Sequence, residues 1–239
     1  MPADGVPDIP HDQVLSLEEI AGAVRVAVGL GFTKIRLTGG EPLVRKGIID
    51  LVTMISSIDG IDDLAMTTNG ILLPQFARPL KEAGLHRVNI SLDTIDPERY
   101  RKITRTGNLE DVLAGIDAAR QAGLDPIKLN VVLLRGEGKE YAEDVVAFGK
   151  AQGYEVRFIH QMNLETGEFS KVEGGDGGNC ASCNRLRLSS RGIVHPCLFS
   201  DQGYSIRELG VEEAFRVAVE GKPEKGLVSK INSFYGIGG

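Results

Sequence analysis

A chain of 239 residues is long enough for one sizeable core, and 42% apolar with 25% charged residues is an ordinary globular balance. A net charge of −6 argues against a general binder of nucleic acid or anionic membranes, so any anionic ligand has to be held by a local basic cluster. No stretch is apolar enough to span a bilayer and the first residues do not have the form of a secretory signal. An odd count of three cysteines fits a reducing compartment, so a cytoplasmic protein is expected, with neither a nucleic acid nor a membrane as partner.

Helical and strand patterns alternate along the chain. Helices are expected near 17–30, 47–58, 73–83, 109–122 and 140–152, each leading into a buried strand at 33–37, 64–67, 87–92, 127–133 and 155–159. The fourth helix is the clearest: Leu109, Val112, Leu113, Ile116 and Ala119 recur at helical spacing, with Glu110, Asp111 and Arg120 between them and Gly123 placed to end it. No Asn-Gly turn joins two strands, so right-handed βαβ units and a parallel sheet are expected. Residues 163–180 lack an apolar period and read as a loop. Short strands follow around Leu186, Leu188, Ile193 and Val194, then a helix over 209–219 and a tail over 232–239.

The strand ends carry polar motifs: Thr38-Gly39-Gly40-Glu41-Pro42, Thr68-Asn69-Gly70, Ser91-Leu92-Asp93, and His160-Gln161-Met162, with Lys128 and Asn130 inside the fourth strand. In α/β folds ligands bind at the carboxyl ends of the strands, so the motifs together point to one shared site. In Gly39-Gly40-Glu41-Pro42 the glycines allow close backbone approach to a ligand, and the carbonyls and carboxylate can accept from an ammonium group. Neither a P-loop nor a complete Rossmann fingerprint is present.

Cys180, Cys183 and Cys197 are the only cysteines. The first two are spaced C-x-x-C, and the third follows after thirteen residues. Scattered cysteines are often small buried hydrophobes, but this spacing beside a glycine-rich run (174–178) reads as a metal or iron–sulfur site. Three thiolates leave one coordination position open. A zinc site completed by His195 is a rival, although Pro196 restricts how the two side chains flanking it converge. Arg185 and Arg187 alternate with leucines, so at strand spacing both face one way and can take a phosphate between two guanidinium forks. Arg36 and Lys128 are further basic residues on strands.

Residues 33–42 (TKIRLTGGEP), 67–70 (TTNG), 88–93 (VNISLD), 180–188 (CASCNRLRL) and 196–201 (PCLFSD), with the final Ile237-Gly238-Gly239, resemble the GTP 3′,8-cyclases of molybdenum cofactor biosynthesis. The resemblance covers nearly the whole chain. It implies a radical S-adenosylmethionine enzyme, a lyase, on an incomplete TIM-type parallel α/β barrel spanning 1–162, with a C-terminal Fe–S and GTP-binding region over 163–239. It also implies two [4Fe–4S] clusters. One cleaves S-adenosylmethionine to a 5′-deoxyadenosyl radical; the other, held by three cysteines, presents an open iron to the purine of GTP. The radical takes a hydrogen atom from the ribose, the ribose radical attacks C8, and (8S)-3′,8-cyclo-7,8-dihydroguanosine 5′-triphosphate results.

Carried over residue by residue, the resemblance makes Cys180, Cys183 and Cys197 ligands of the second cluster. Arg36, Thr67, Lys128, Arg185 and Arg187 become GTP contacts, and Gly40, Ser91 and Met162 become S-adenosylmethionine contacts. Gly238 and Gly239 would reach toward the active site. The partners implied are GTP and a downstream cyclic pyranopterin-forming enzyme, with a homodimer left open.

The chain departs from the family pattern in two ways. The family's C-x-x-x-C-x-x-C motif, which ends Tyr-Cys-Met-Pro, is absent, and this chain opens Met1-Pro2. A start just after the last cysteine of that motif, an N-terminally truncated and inactive form, is therefore expected. The loop between Met162 and Cys180 is also shorter than in many members. The alternatives are another radical S-adenosylmethionine enzyme with one auxiliary cluster, or a non-catalytic zinc-binding fragment.

Overall fold

The computed structural model describes residues 9–232 and Gly236. The expected tail over 232–239, Gly238 and Gly239 included, lies outside the described residues except for Asn232 and Gly236. In chain order the elements are α1 (Leu17–Gly29), β1 (Lys34–Leu37), α2 (Ile48–Ser56), β2 (Asp63–Thr68), α3 (Leu73–Glu82), β3 (Arg87–Ser91), α4 (Pro97–Thr104), α5 (Leu109–Gln121), β4 (Lys128–Leu133), α6 (Glu143–Gln152) and β5 (Glu155–His160). A C-terminal set follows: β6 (Arg187–Leu188), β7 (Ile193–His195), β8 (Tyr204–Ser205), α7 (Ile206–Leu209) and α8 (Val211–Glu220). All five expected strands pair in parallel, in the order β1-β2-β3-β4-β5. The described strands thus form an open part of a TIM-type barrel, whose closed form has eight.

Local chemistry sets the helix ends. Ser16 caps α1 by accepting from the Glu19 N–H, while the Glu19 carboxylate takes the Ser16 N–H at 2.7 Å, a reciprocal capping box. Gly153, at φ +76°, ends α6 in the left-handed region that glycine tolerates. Helix α4 has no counterpart in the sequence reading. It is started by Asp96, which accepts from the Arg99 N–H, and by Pro97 at its first position, but only Tyr100 is buried, so no apolar period marks it.

Strand alternation divides the large sheet into two faces. Leu64, Met66, Val88, Ile90 and Leu129 point to the helices, are fully buried and belong to the main core. Each contributes roughly 1.5–3 kcal/mol by leaving water. Helix α5 comes so close to the turn after β2 that a Cβ on Gly115 would lie 2.0 Å from the Gly70 carbonyl oxygen. The opposite, concave face carries Arg36, Asp63, Thr67, Arg87, Asn89, Ser91, Lys128, Asn130, Glu155 and Arg157.

The C-terminal region is fastened to the back of α1. Leu15, Ala23 and Ala27 share a buried cluster with Val194, Ile206, Ala214, Phe215 and Ala218. The helix expected over 209–219 is two helices, broken at Gly210 with φ +82°. The expected loop over 163–180 is largely that, but Phe158 and Glu173 exchange backbone hydrogen bonds at 3.0 Å each way, so it covers the outer edge of β5. A pairing this short leaves no alternation to read in a sequence. No helix among the described residues is long and apolar enough to cross a membrane.

Candidate functional site

The parallel register gathers the concave-face residues. Arg36 aligns with Ala65 and then Arg87; Thr67 aligns with Asn89, Lys128 and Glu155. Arg87 holds Asp63 with both ends of its fork, Nε to Oδ1 at 2.8 Å and Nη2 to Oδ2 at 2.5 Å. Its Nη1 donates to Asn89 Oδ1 at 3.0 Å, and the buried Asn89 donates on to Thr67 Oγ1 at 3.3 Å. Lys128 pairs with Glu155 at 2.7 Å, and Arg157 reaches the same carboxylate at 3.6 Å. The Arg157 Nε is buried without a hydrogen-bond partner.

The C-terminal region brings more cations to this face than the carboxylates there balance. Burial, and then the like charges of Arg185, Arg87 and Arg157, push the Arg36 guanidinium down to about 10. Arg157 is lowered first by burial, with Arg87 and Arg185 adding to it and Glu155 opposing. Arg187 is lowered by burial and then by Arg185, while the Cys197 and Cys183 sulfurs act in the other direction. Arg185 therefore sits within electrostatic reach of Arg36, Arg157 and Arg187 together. A partly desolvated group of like charges is costly unless an anion joins it.

Cys183 and Cys197 lie within electrostatic reach of this group, and all three cysteines are partly buried. Cys183 follows a single 3-10 turn, Cys180–Ser182, and its N–H donates to the Cys180 carbonyl at 3.1 Å. Burial raises the Cys183 thiol, but the Arg185 N–H and the charges of Lys222 and Arg185 outweigh it and leave it below the usual range. That favours the thiolate, the form that binds iron. Among the described residues no three His, Cys, Asp or Glu side chains converge on a single metal ion. The arrangement of three cysteines with His195 is therefore not formed. The His195 Nδ1 instead donates to the Gln202 carbonyl at 3.2 Å, inside the small sheet.

The strand-end residues divide between exposed positions and ones engaged by the chain itself. Gly40 and Ser91 are exposed at the carboxyl ends of β1 and β3. Met162, just beyond β5, packs with Leu164, Phe169, Leu198, Phe199 and Cys197, so it touches the cysteine-bearing segment. The Glu41 carboxylate, expected to be available to an ammonium group, is engaged by the chain's own donors. It accepts from Thr68 Oγ1 at 2.7 Å and from the N–H groups of Asn69 and Leu43 at 2.7 and 3.0 Å. It ties the β1 loop to the β2 loop.

The partial barrel with polar residues at its strand ends is the setting in which comparison with known proteins gives the class. A family model described as the Radical SAM superfamily matches residues 3–149. A solved chain described as native anSMEcpe with bound AdoMet superposes with a TM-score of 0.66 at 13% identity, covering 87% of this chain and 72% of that one. The same protein with AdoMet and the Kp18Cys peptide gives 0.65 at 14%, covering 93% and 75%. Those likenesses establish the fold.

Curated relatives named GTP 3′,8-cyclase narrow the class. That of Alkaliphilus oremlandii is 40% identical over 273 residues, with 94% of this chain and 85% of the relative covered. That of Moorella thermoacetica is 41% identical over 252 residues, with 87% and 78% covered. The chain belongs to the GTP 3′,8-cyclase family of the radical SAM superfamily. An alignment of 273 positions against a chain of 239 means that the Alkaliphilus protein carries internal residues with no counterpart here.

Family membership implies a [4Fe–4S] cluster and S-adenosylmethionine, and three free cysteines are the donor type that such a cluster takes. The thiolates of such a cluster bind separate irons and stand farther apart than the ligands of one ion, so a cluster does not need the convergence a zinc site needs. Sequence reasoning missed Arg87, Asn89 and Arg157. Their signal was the polar residue at every second position of 87–91 and at both 155 and 157.

Proposed function

We propose that the chain carries the substrate site of a GTP 3′,8-cyclase, the enzyme that converts GTP to (8S)-3′,8-cyclo-7,8-dihydroguanosine 5′-triphosphate in the first step of molybdenum cofactor biosynthesis. One observation carries the reading: Arg36, Arg157 and Arg187 gather around Arg185 beside the cysteine segment, where burial and then like charge disfavour their charged forms and bound anions would offset both. A triphosphate supplies those anions, and guanidinium forks match its geometry. Arg36, Arg185 and Arg187 hold the phosphates. Lys128, steadied by Glu155, and Thr67, steadied by Asn89, orient the remainder of the nucleotide.

Cys180, Cys183 and Cys197 hold the C-terminal [4Fe–4S] cluster, and Gly40, Ser91 and Met162 face S-adenosylmethionine. When bound, these cofactors supply the one-electron and radical chemistry, while the chain positions GTP and shields it from water. Residues 1–162 form the barrel unit and 163–239 the Fe–S and GTP-binding unit.

The cysteines of the C-terminal cluster are the only ones in these 239 residues. The chain alone should therefore bind GTP and form no 5′-deoxyadenosine. Joined in frame to a segment bearing C-x-x-x-C-x-x-C, it should yield the cyclic nucleotide, read by mass spectrometry. Absence of that product with both clusters loaded, or 5′-deoxyadenosine formed by the 239 residues alone, would overturn the reading.

A further inference from the structure

One ammonium group joins the two segments that carry the cysteines. Lys222 Nζ donates to the Arg185 carbonyl at 2.7 Å and to the Pro196 carbonyl at 2.6 Å. Arg185 lies two residues after Cys183, and Pro196 directly precedes Cys197. The ammonium therefore lies between the backbone that follows Cys183 and the backbone that precedes Cys197.

The position of Lys222 is itself fixed. It follows Gly221 at the end of α8, whose Ala214, Phe215 and Ala218 are buried with residues of α1. A Cβ on Gly221 would lie 2.6 Å from the Tyr204 hydroxyl, so the helix end sits tightly against β8. Two carbonyls from separate segments around a single half-buried cation are more than a surface lysine needs. The same chain length would let it lie along the surface with its head in water.

We infer that Lys222 is a positioning residue for the C-terminal cluster: it fixes the span between Cys183 and Cys197 and places an ammonium group beside the two segments that carry them. The inference rests on the cluster reading above and adds to it a residue distant from the cysteine motif in sequence. Two effects follow from one contact. The carbonyl bonds hold the ligand segments at the cluster's spacing, so iron is released slowly. The positive charge favours the reduced cluster, which carries one more electron, so the reduction potential is higher than it would be without it.

The test uses the 239-residue chain reconstituted anaerobically with iron and sulfide, as wild type, Lys222→Met and Lys222→Arg. Lys222→Met keeps the length and loses the charge and the donors. It should release iron to a chelator about 10-fold faster or more, the usual cost of removing a group that orients a metal ligand. Its cluster should also titrate at a more negative potential by dye-coupled redox titration. Lys222→Arg restores charge and donors and should return the potential toward wild type, which a purely structural loss would not do.

A wild-type chain that takes up no iron–sulfur cluster overturns the cluster reading and this inference together. A wild-type cluster whose release rate and potential are unchanged in Lys222→Met overturns this inference alone. Faster release with an unchanged potential overturns the electrostatic half of the role, and with it the inference as stated.

Discussion

Replacing Arg36 by Met should make the nucleotide-free chain more stable and its GTP complex weaker. Arg36 lies on the concave face, and burial together with Arg185, Arg87 and Arg157 holds its guanidinium down to about 10. For a group sealed from water that displacement would cost ~3 kcal/mol. Arg36 keeps access to solvent, so screening reduces the figure to about 1 kcal/mol. The sign follows from linkage. A base whose folded-state value is depressed binds fewer protons in the folded chain than in the unfolded one between that value and the ordinary one. Its cost is therefore fully present below pH 10, and so at neutral pH.

Removing the charge with an isosteric apolar chain should raise the nucleotide-free Tm by about 2–4 °C. The same change removes a charged hydrogen-bond donor from the triphosphate, at roughly 1.5–3 kcal/mol, so GTP affinity should fall about 10- to 100-fold. Thermal unfolding without nucleotide and calorimetric titration with GTP, both on the cluster-loaded chain, read the two effects. A lower nucleotide-free Tm, or an unchanged GTP affinity, would refute the argument that this face is an anion site left with surplus cations.

Other positions give independent checks. Arg187→Ala, with the cluster intact, should weaken GTP binding by calorimetry about 10- to 100-fold, whereas a cation that merely solvated a surface would cost under about 1 kcal/mol. Burial raises the Asp93 carboxyl, with Arg99 and the Val132 N–H opposing. An acid raised in the folded state is costly above its folded value and relaxed below its unfolded one. Asp93→Asn keeps an oxygen for the Val132 N–H, so it should unfold in urea at pH 7 at no lower midpoint than wild type, with any gain vanishing near pH 4. Gly115→Ala sets a methyl against the Gly70 carbonyl oxygen and should cost roughly 1–3 kcal/mol, seen as a lower urea midpoint with an unchanged slope.

Much of this was legible in the sequence because it is periodic. The alternation of helix and strand was enough to place β1 to β5 and the parallel sheet. Arg36, Thr67 and Lys128 come to one face because each sits at the right parity in its strand. Parity does not say which face is concave, so Arg87, Asn89 and Arg157 were passed over although their alternation is as regular.

Contacts that cross the chain were not readable at all. Glu41 serves Thr68 and Asn69, and Lys222 serves the carbonyls of Arg185 and Pro196, through spacings set only by the folded backbone. Helix α4 escaped notice for the opposite reason. Its caps are strong, but a helix with one buried residue carries no stripe.

The measurement that bears most directly on the central claim is the metal content of the chain after anaerobic reconstitution, read with its absorption spectrum and with GTP added. The account predicts a brown chain with about four irons and four sulfides, the composition of one [4Fe–4S] cluster, whose spectrum GTP perturbs and which Cys183→Ser no longer retains. A colourless chain holding zinc, or iron bound equally well by Cys183→Ser, would contradict it.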